Sequence, residues 1–212
     1  MTEIMDITVA YRTDLPLWPG DPAPKMTLMK SQECGYRCNV TRLDTGVHFG
    51  THLDAPCHFV EGGKAVEELN LDLLVGPCVV GEIPGVMEIT PQHLEALNLP
   101  DGTKRLLLKT DNSDLWDKPN HLFHEGFAAL TADAAQWVVD RGIGLIGIDY
   151  LSIQLFADAV STTHLVLLSA EVIIVEGLDL REIAPRAYNL ICLPMKIAGA
   201  DGAPVRAILT TA

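Results

Sequence analysis

Residues 47–58 read Val-His-Phe-Gly-Thr-His-Leu-Asp-Ala-Pro-Cys-His, and this stretch constrains the fold more than any other. His48 and His52 are four apart, the spacing that would share one helical face. Gly50, Thr51 and Pro56 are poor helix material, however, and Val47 continues a strand-like run. In an extended chain the even offsets put His48, His52 and Asp54 on one face. Four residues of strand span roughly 13 Å, near the limit for two imidazoles sharing one ion. A bulge or bend at Gly50-Thr51 is therefore expected, because glycine permits the kink that shortens this distance. Pro56 then turns the chain, so His58 need not share the ligands' face.

Three of the seven histidines and an aspartate fall within the eleven residues 48–58. A lone strand histidine is more often hydrogen-bonded or at the surface, but the cluster reverses that reading. Imidazole and carboxylate suit zinc and manganese, and a bound divalent ion makes water a nucleophile near neutral pH. His48, His52 and Asp54 read as metal ligands. His58 can stand beside them as general base and acid. Cys57 adjoins the cluster, but its context lacks a nucleophile elbow or a dedicated base. His93 falls in an expected surface helix, and His121 and His124 fall in a polar loop; these three read as solvated.

The charge balance, 28 acidic against 15 basic residues with no basic run, argues against nucleic-acid or anionic-membrane binding. No apolar run reaches the roughly 18 residues that span a bilayer, and the acidic N-terminus lacks a signal-peptide pattern. Five cysteines give no disulfide framework, and Cys34 and Cys38 have no second pair to complete a zinc knuckle. Buried free thiols in a reducing cytoplasm are the expectation.

Strands are expected at 5–10, 38–45, 75–83, 104–110, 143–149, 172–175, 190–194 and 206–210. The strand 172–175 ends at Glu176. Helices are expected from Thr90-Pro91 to about Leu97, over 131–141 with Gly142 as its C′ residue, and from Ser161 to Leu168. Trp18-Pro19-Gly20-Asp21 reads as a turn with Pro at its second position and Gly taking positive φ. Residues 111–125 read as a loop or lid. Strands and helices mix without strict βαβ alternation, which favours a single α/β (α+β) domain over 1–212, with a mixed, barrel-like sheet flanked by helices.

The pattern His48-x-Gly50-Thr51-His52-x-Asp54-x-Pro56-x-His58 resembles the signature of the metal-dependent cyclase-like hydrolases, which include bacterial kynurenine formamidases and isatin hydrolases. The likeness continues through Trp18-Pro19-Gly20-Asp21, Gly147-Ile148-Asp149 and Gly202-Ala203-Pro204-Val205-Arg206. It implies a swivelling β/β/α fold, a homo-oligomer (dimer or tetramer), and one or two divalent ions, zinc foremost and manganese as an alternative. It implies that His48, His52 and Asp54 hold a first ion, and that Asp54 bridges to a second held by His164 and Glu176. His58 matches the proton donor and acceptor, and Trp18 a position contacting the substrate's aromatic part. Asp149 is assigned a structural role first. The implied activity is hydrolysis of a small amide, with N-formyl-L-kynurenine as the foremost substrate. The alternatives are a cyclic amide or lactone, as in isatin hydrolases, and a non-catalytic metal-binding protein. Tyr150-Leu151-Ser152-Ile153-Gln154 departs from the Pro-Ser segment of kynurenine formamidases.

Overall fold

The computed structural model describes residues 3–117 and 122–211. The chain forms strands β1 (Ile4–Asp6), β2 (Lys25–Lys30), β3 (Val40–Asp44), β4 (His52–Asp54), β5 (Val75–Glu82), β6 (Glu88–Ile89), β7 (Arg105–Lys109), β8 (Ala129–Leu130), β9 (Leu145–Ile148), β10 (Ile173–Glu176), β11 (Ala187–Pro194) and β12 (Gly202–Thr210). Between them lie helices α1 (Leu71–Leu74), α2 (Pro91–Ala96), α3 (Ala132–Asp140) and α4 (Thr162–Ser169). Strands β12, β11, β5, β7, β9, β10 and β4 pair in that order, and β4 returns to β12. Seven strands thus close a barrel, and β1 joins the edge of β12 beyond β4. Strands β5, β7, β9 and β10 are mutually parallel, and the remaining pairs of the barrel are antiparallel. The mixed sheet expected from the sequence is present, and it is fully closed.

A parallel strand with a core on each face reads as an unbroken apolar run. Leu107, Leu145, Ile173 and Val175 fill the barrel with Leu53. Leu106, Leu108, Ile146, Ile148 and Ile174 point outward and pack with Leu94 of α2, Ala134 and Val138 of α3, and Leu167 of α4. The same alternation positions the polar residues. Because Leu53 and Val175 face inward, His52 and Asp54 on β4 and Glu176 on β10 face outward, towards α4. The register pairs Glu176 with His52 and Ile174 with Asp54.

Several elements differ from the sequence expectation. The first strand stops at Asp6, after which Thr8 bridges to Leu178. Strand β3 pairs with β2, an antiparallel hairpin partner with no buried residue to mark it. The 111–125 segment is not wholly a loop. Asp111–Asp117 forms 3₁₀ turns that bury Leu115 and Trp116, and the Trp116 indole N–H donates to the carbonyls of Asp149 and Leu178. Asp149 has the structural role assigned to it. Its carboxylate accepts from the backbone N–H and hydroxyl of both Thr110 and Ser113, tying the 3₁₀ segment to the end of β9. Burial pushes its pKa up to about 6 against the opposing pull of those donors. All five cysteines are free, but only Cys78 and Cys192 are buried; Cys34 and Cys38 are exposed in the β2–β3 connection.

Candidate metal centre

The expected bend is present. Residues 47–51 turn sharply, with Gly50 at φ +68°, and deliver His48 beside β4. His52 Nδ1 lies 3.0 Å from the Gly50 carbonyl, which can only accept, so Nδ1 carries the proton. Nε2 then faces Asp54 Oδ1 (3.6 Å) and Glu176 Oε2 (3.3 Å).

His164, on the first turn of α4, is fixed in the same way. The Gln154 amide donates to the Asp158 carbonyl, which turns Gln154 Oε1 towards His164 Nδ1 at 3.0 Å. His164 Nε2 is left facing Glu176 Oε1 (3.4 Å) and Asp54 Oδ2 (3.7 Å). Two imidazoles are therefore held with Nε2, the nitrogen left for a metal, facing two carboxylates, both almost fully buried. Asp54 Oδ2 is buried without any hydrogen-bond partner. A carboxylate oxygen orphaned in such a place is costly unless a cation or proton fills it.

Burial would lower the His164 pKa, but the hydrogen bond and charge of Glu176, then the charge of Asp54, raise it instead. Burial would raise Glu176, yet the hydrogen bonds from His164 and His52 bring it well below the usual carboxylate range.

His48 and His58 occupy the neighbouring position. His48 Nδ1 lies 2.9 Å from Asp54 Oδ1, and its Nε2 lies 2.8 Å from Asp201 Oδ2. Both partners are acceptors, so the ring without an ion is doubly protonated. Burial disfavours that charge, but Asp54 first and Asp201 second outweigh it and raise the pKa to about 9. His58 ends the 3₁₀ turn Pro56–His58 and stacks on His48 with ring centroids 3.9 Å apart. Its Nδ1 is 3.3 Å from Asp201 Oδ2. Burial holds its pKa below the ordinary histidine value, only partly offset by Asp54, which leaves the ring neutral near pH 7.

Ligand atoms of His52, Asp54 and Glu176 lie within 4.8 Å of one another, as do those of His48, Asp54 and His58. Asp54 is common to both sets, and His164 adjoins the first. The donors thus fit one cation among His52, Asp54, His164 and Glu176 and a second beside it at His48 and Asp54, with His58 within reach of the second and His52 on the Glu176 side rather than beside His48. A cleft of about 310 Å³ opens over them, lined by Trp18, Asp21, Phe59, Leu151, Ser152 and Ser161 among others.

Trp18 heads the expected turn: Asp21 N–H donates to its carbonyl, and Gly20 has φ +99°. Its indole lines the cleft while contacting Phe123 and Phe156 edge-on at 5.3 and 5.4 Å. Packing and cleft exposure therefore coexist at this residue. His124 is exposed, and His121 lies outside the described residues. His93 is not simply solvated: its Nδ1 accepts the Thr90 N–H and caps α2.

Asp201, Gln154 and Phe59, which stacks on His164 at 4.6 Å, carry no signal of their own in the sequence. The available hints are positional: Asp201 adjoins the 202–206 segment, and Gln154 ends the Tyr150–Gln154 segment.

The family model Cyclase matches residues 5–154. The chain belongs to the cyclase family. This cyclase-family hydrolase is 42% identical to Cyclase-like protein 1 of Oryza sativa subsp. japonica, over 97% of this chain and 78% of that protein. It is 35% identical to a kynurenine formamidase of Bacillus thuringiensis, over 98% of this chain and 97% of that protein. A solved structure described as a potential metal-dependent hydrolase with cyclase activity superposes with a TM-score of 0.86 at 35% identity, covering 100% and 99% of the two chains.

Proposed function

We propose that this cyclase-family hydrolase is a metal-dependent amidase of small molecules, with an aryl formamide such as N-formyl-L-kynurenine as its foremost substrate. The observation that carries the reading is the pair of tautomer-fixed imidazoles, His52 and His164, aimed at Asp54 and Glu176, with Asp54 Oδ2 unpartnered. His48, His52, Asp54, His164 and Glu176 would hold one or two divalent ions, zinc or manganese. When bound, such ions supply Lewis acidity at a carbonyl oxygen and lower the pKa of a water. The aryl formamide assignment draws on the 35% identity to a kynurenine formamidase and on the aromatic wall at Trp18.

The chain's own residues supply the rest. Trp18 presents a flat apolar face on which an aromatic ring can lie. His58, neutral and at the cleft, accepts a proton from the attacking water and returns it to the leaving amine. Asp54 and Glu176, held apart from bulk water, balance the cationic charge of the centre.

Exposed apolar residues on the β2–β3 hairpin support a homo-oligomer, dimer or tetramer. Free thiols support a cytoplasmic location. Among the described residues no helix is long and apolar enough to cross a membrane.

Metal analysis of the purified chain, together with hydrolysis of N-formyl-L-kynurenine and isatin, tests the reading. Stoichiometric zinc or manganese with formate release supports it. Turnover of isatin alone moves the substrate to cyclic amides, and a chain that neither binds metal nor hydrolyses either compound overturns it.

A further inference from the structure

Asp201 stands at the end of the β11–β12 connection, and its surroundings are built around a histidine ring. Its backbone carbonyl accepts from Ala55 N–H at 2.9 Å, pinning the connection to the residue after Asp54. The neighbouring Gly202 pairs with Asp54 in register, and a Cβ there would lie 2.6 Å from His48 Cε1. The ring of His48 therefore rests on a position that tolerates no side chain. Asp201 Oδ2 closes this seat from the far side of the ring, 2.8 Å from His48 Nε2, and lies 3.3 Å from His58 Nδ1 as well.

We propose that Asp201 is a positioning residue of this centre, whose carboxylate accepts the His48 Nε2–H and thereby turns Nδ1 towards Asp54 and an incoming cation. The same oxygen holds His58 stacked against His48. The proposal rests on the metal-hydrolase reading. A carboxylate accepting the far N–H of a metal-bound imidazole fixes its tautomer and orientation, and removing such a partner typically costs 10–100-fold in metal affinity or activity. Asp201 is also about half exposed, so the ion pair is partly screened by water and its geometry, more than its charge, is the expected contribution.

The test measures zinc affinity by chelator competition in the full chain carrying Asp201→Ala, Asp201→Asn or Glu67→Gln. Glu67 belongs to the same region, where it accepts the Gly199 N–H, but it touches neither histidine. Asp201→Ala is expected to weaken zinc binding roughly tenfold or more while the metal-free melting temperature stays near wild type. Asp201→Asn, whose amide oxygen still accepts the bond, is expected to fall between the two, and Glu67→Gln to match wild type. Turnover of N-formyl-L-kynurenine at saturating zinc is expected to show a lower kcat with little change in KM for Asp201→Ala. Zinc affinity in Asp201→Ala within twofold of wild type, or a loss equalled by Glu67→Gln, overturns the role of Asp201 and leaves the metal reading standing. A wild-type chain that binds neither zinc nor manganese overturns the metal reading and the proposal with it.

Discussion

The side chains around Asp54 divide by how each finds its partner. His48, His52, Asp54 and His58 are close in sequence, so turn chemistry at Gly50 and Pro56 brings them together and the cluster was legible before any fold was known. His164 and Glu176 carry no local mark. Their meeting depends on the register that sets Glu176 opposite His52 and on the Gln154 amide, neither of which spacing encodes. Replacing His58 by Ala should leave zinc content intact and lower kcat roughly 10²- to 10⁴-fold. A halved zinc content in that variant, read by metal analysis, would make His58 a ligand instead of the proton carrier.

The His48 ring gives a second expectation. Without an ion it keeps both protons up to about pH 9, so a cation must displace one of them. Apparent zinc affinity should climb about tenfold per pH unit from about pH 7 and level off above about 9. The stability of the metal-free chain runs the opposite way. The folded pKa lies above the ordinary 6.5, so the contribution is complete below 6.5 and lost as pH rises through about 9. That difference is worth about 3 kcal/mol. Thermal melts of the metal-free chain at the two ends of this range should show it, and saturating zinc should shrink it.

At the scale of elements, the barrel strands and outer helices were readable because each buries an apolar face with its own period. Strands β2, β6 and β8 were not, and β4 was readable only as an extended stretch without bounds. Of these, β4, β6 and β8 are only two or three residues long, and β2 buries nothing. What joins the site elements is a backbone crossing. Gly177, at φ +70° just after β10, has no room for a side chain because a Cβ there would lie 2.2 Å from the Gly50 carbonyl oxygen. Gly177→Ala must push the 47–51 bend away from Glu176. Overpacking and left-handed backbone strain together should cost about 3 kcal/mol or more, a fall of roughly 10 °C in melting temperature, with zinc affinity lost alongside.

Ser161 presents the converse case. It precedes α4 at φ +55° without capping it, because Asp158 accepts the Thr162 N–H in its place. Ser161→Gly should relieve about 1 kcal/mol of strain and raise the melting temperature by a few degrees in calorimetry.

At the scale of the whole molecule, the β2–β3 hairpin is exposed along its full length, with no covering surface among the described residues. Its register places Met26 opposite Leu43 and Leu28 opposite Thr41 on one face, and Lys25, Thr27, Arg42 and Asp44 on the other. Met26, Leu28 and Leu43 are 49%, 54% and 50% exposed. A two-stranded hairpin is marginal in water unless its apolar face packs on something, and a second copy of the chain offers a face that is always present. The hairpin also begins just after the Trp18–Asp21 turn and ends four residues before His48, so whatever steadies it steadies both walls of the cleft. Lysines at Leu28 and Leu43 should therefore dissociate the oligomer without unfolding the barrel, whose core these residues do not join. Sedimentation should show the double variant at the mass of one chain, 23.0 kDa, while the wild type runs at a multiple of it. Circular dichroism should be unchanged and kcat/KM reduced. A wild-type chain that already sediments at 23.0 kDa would remove the oligomer and leave the exposed apolar face without this account.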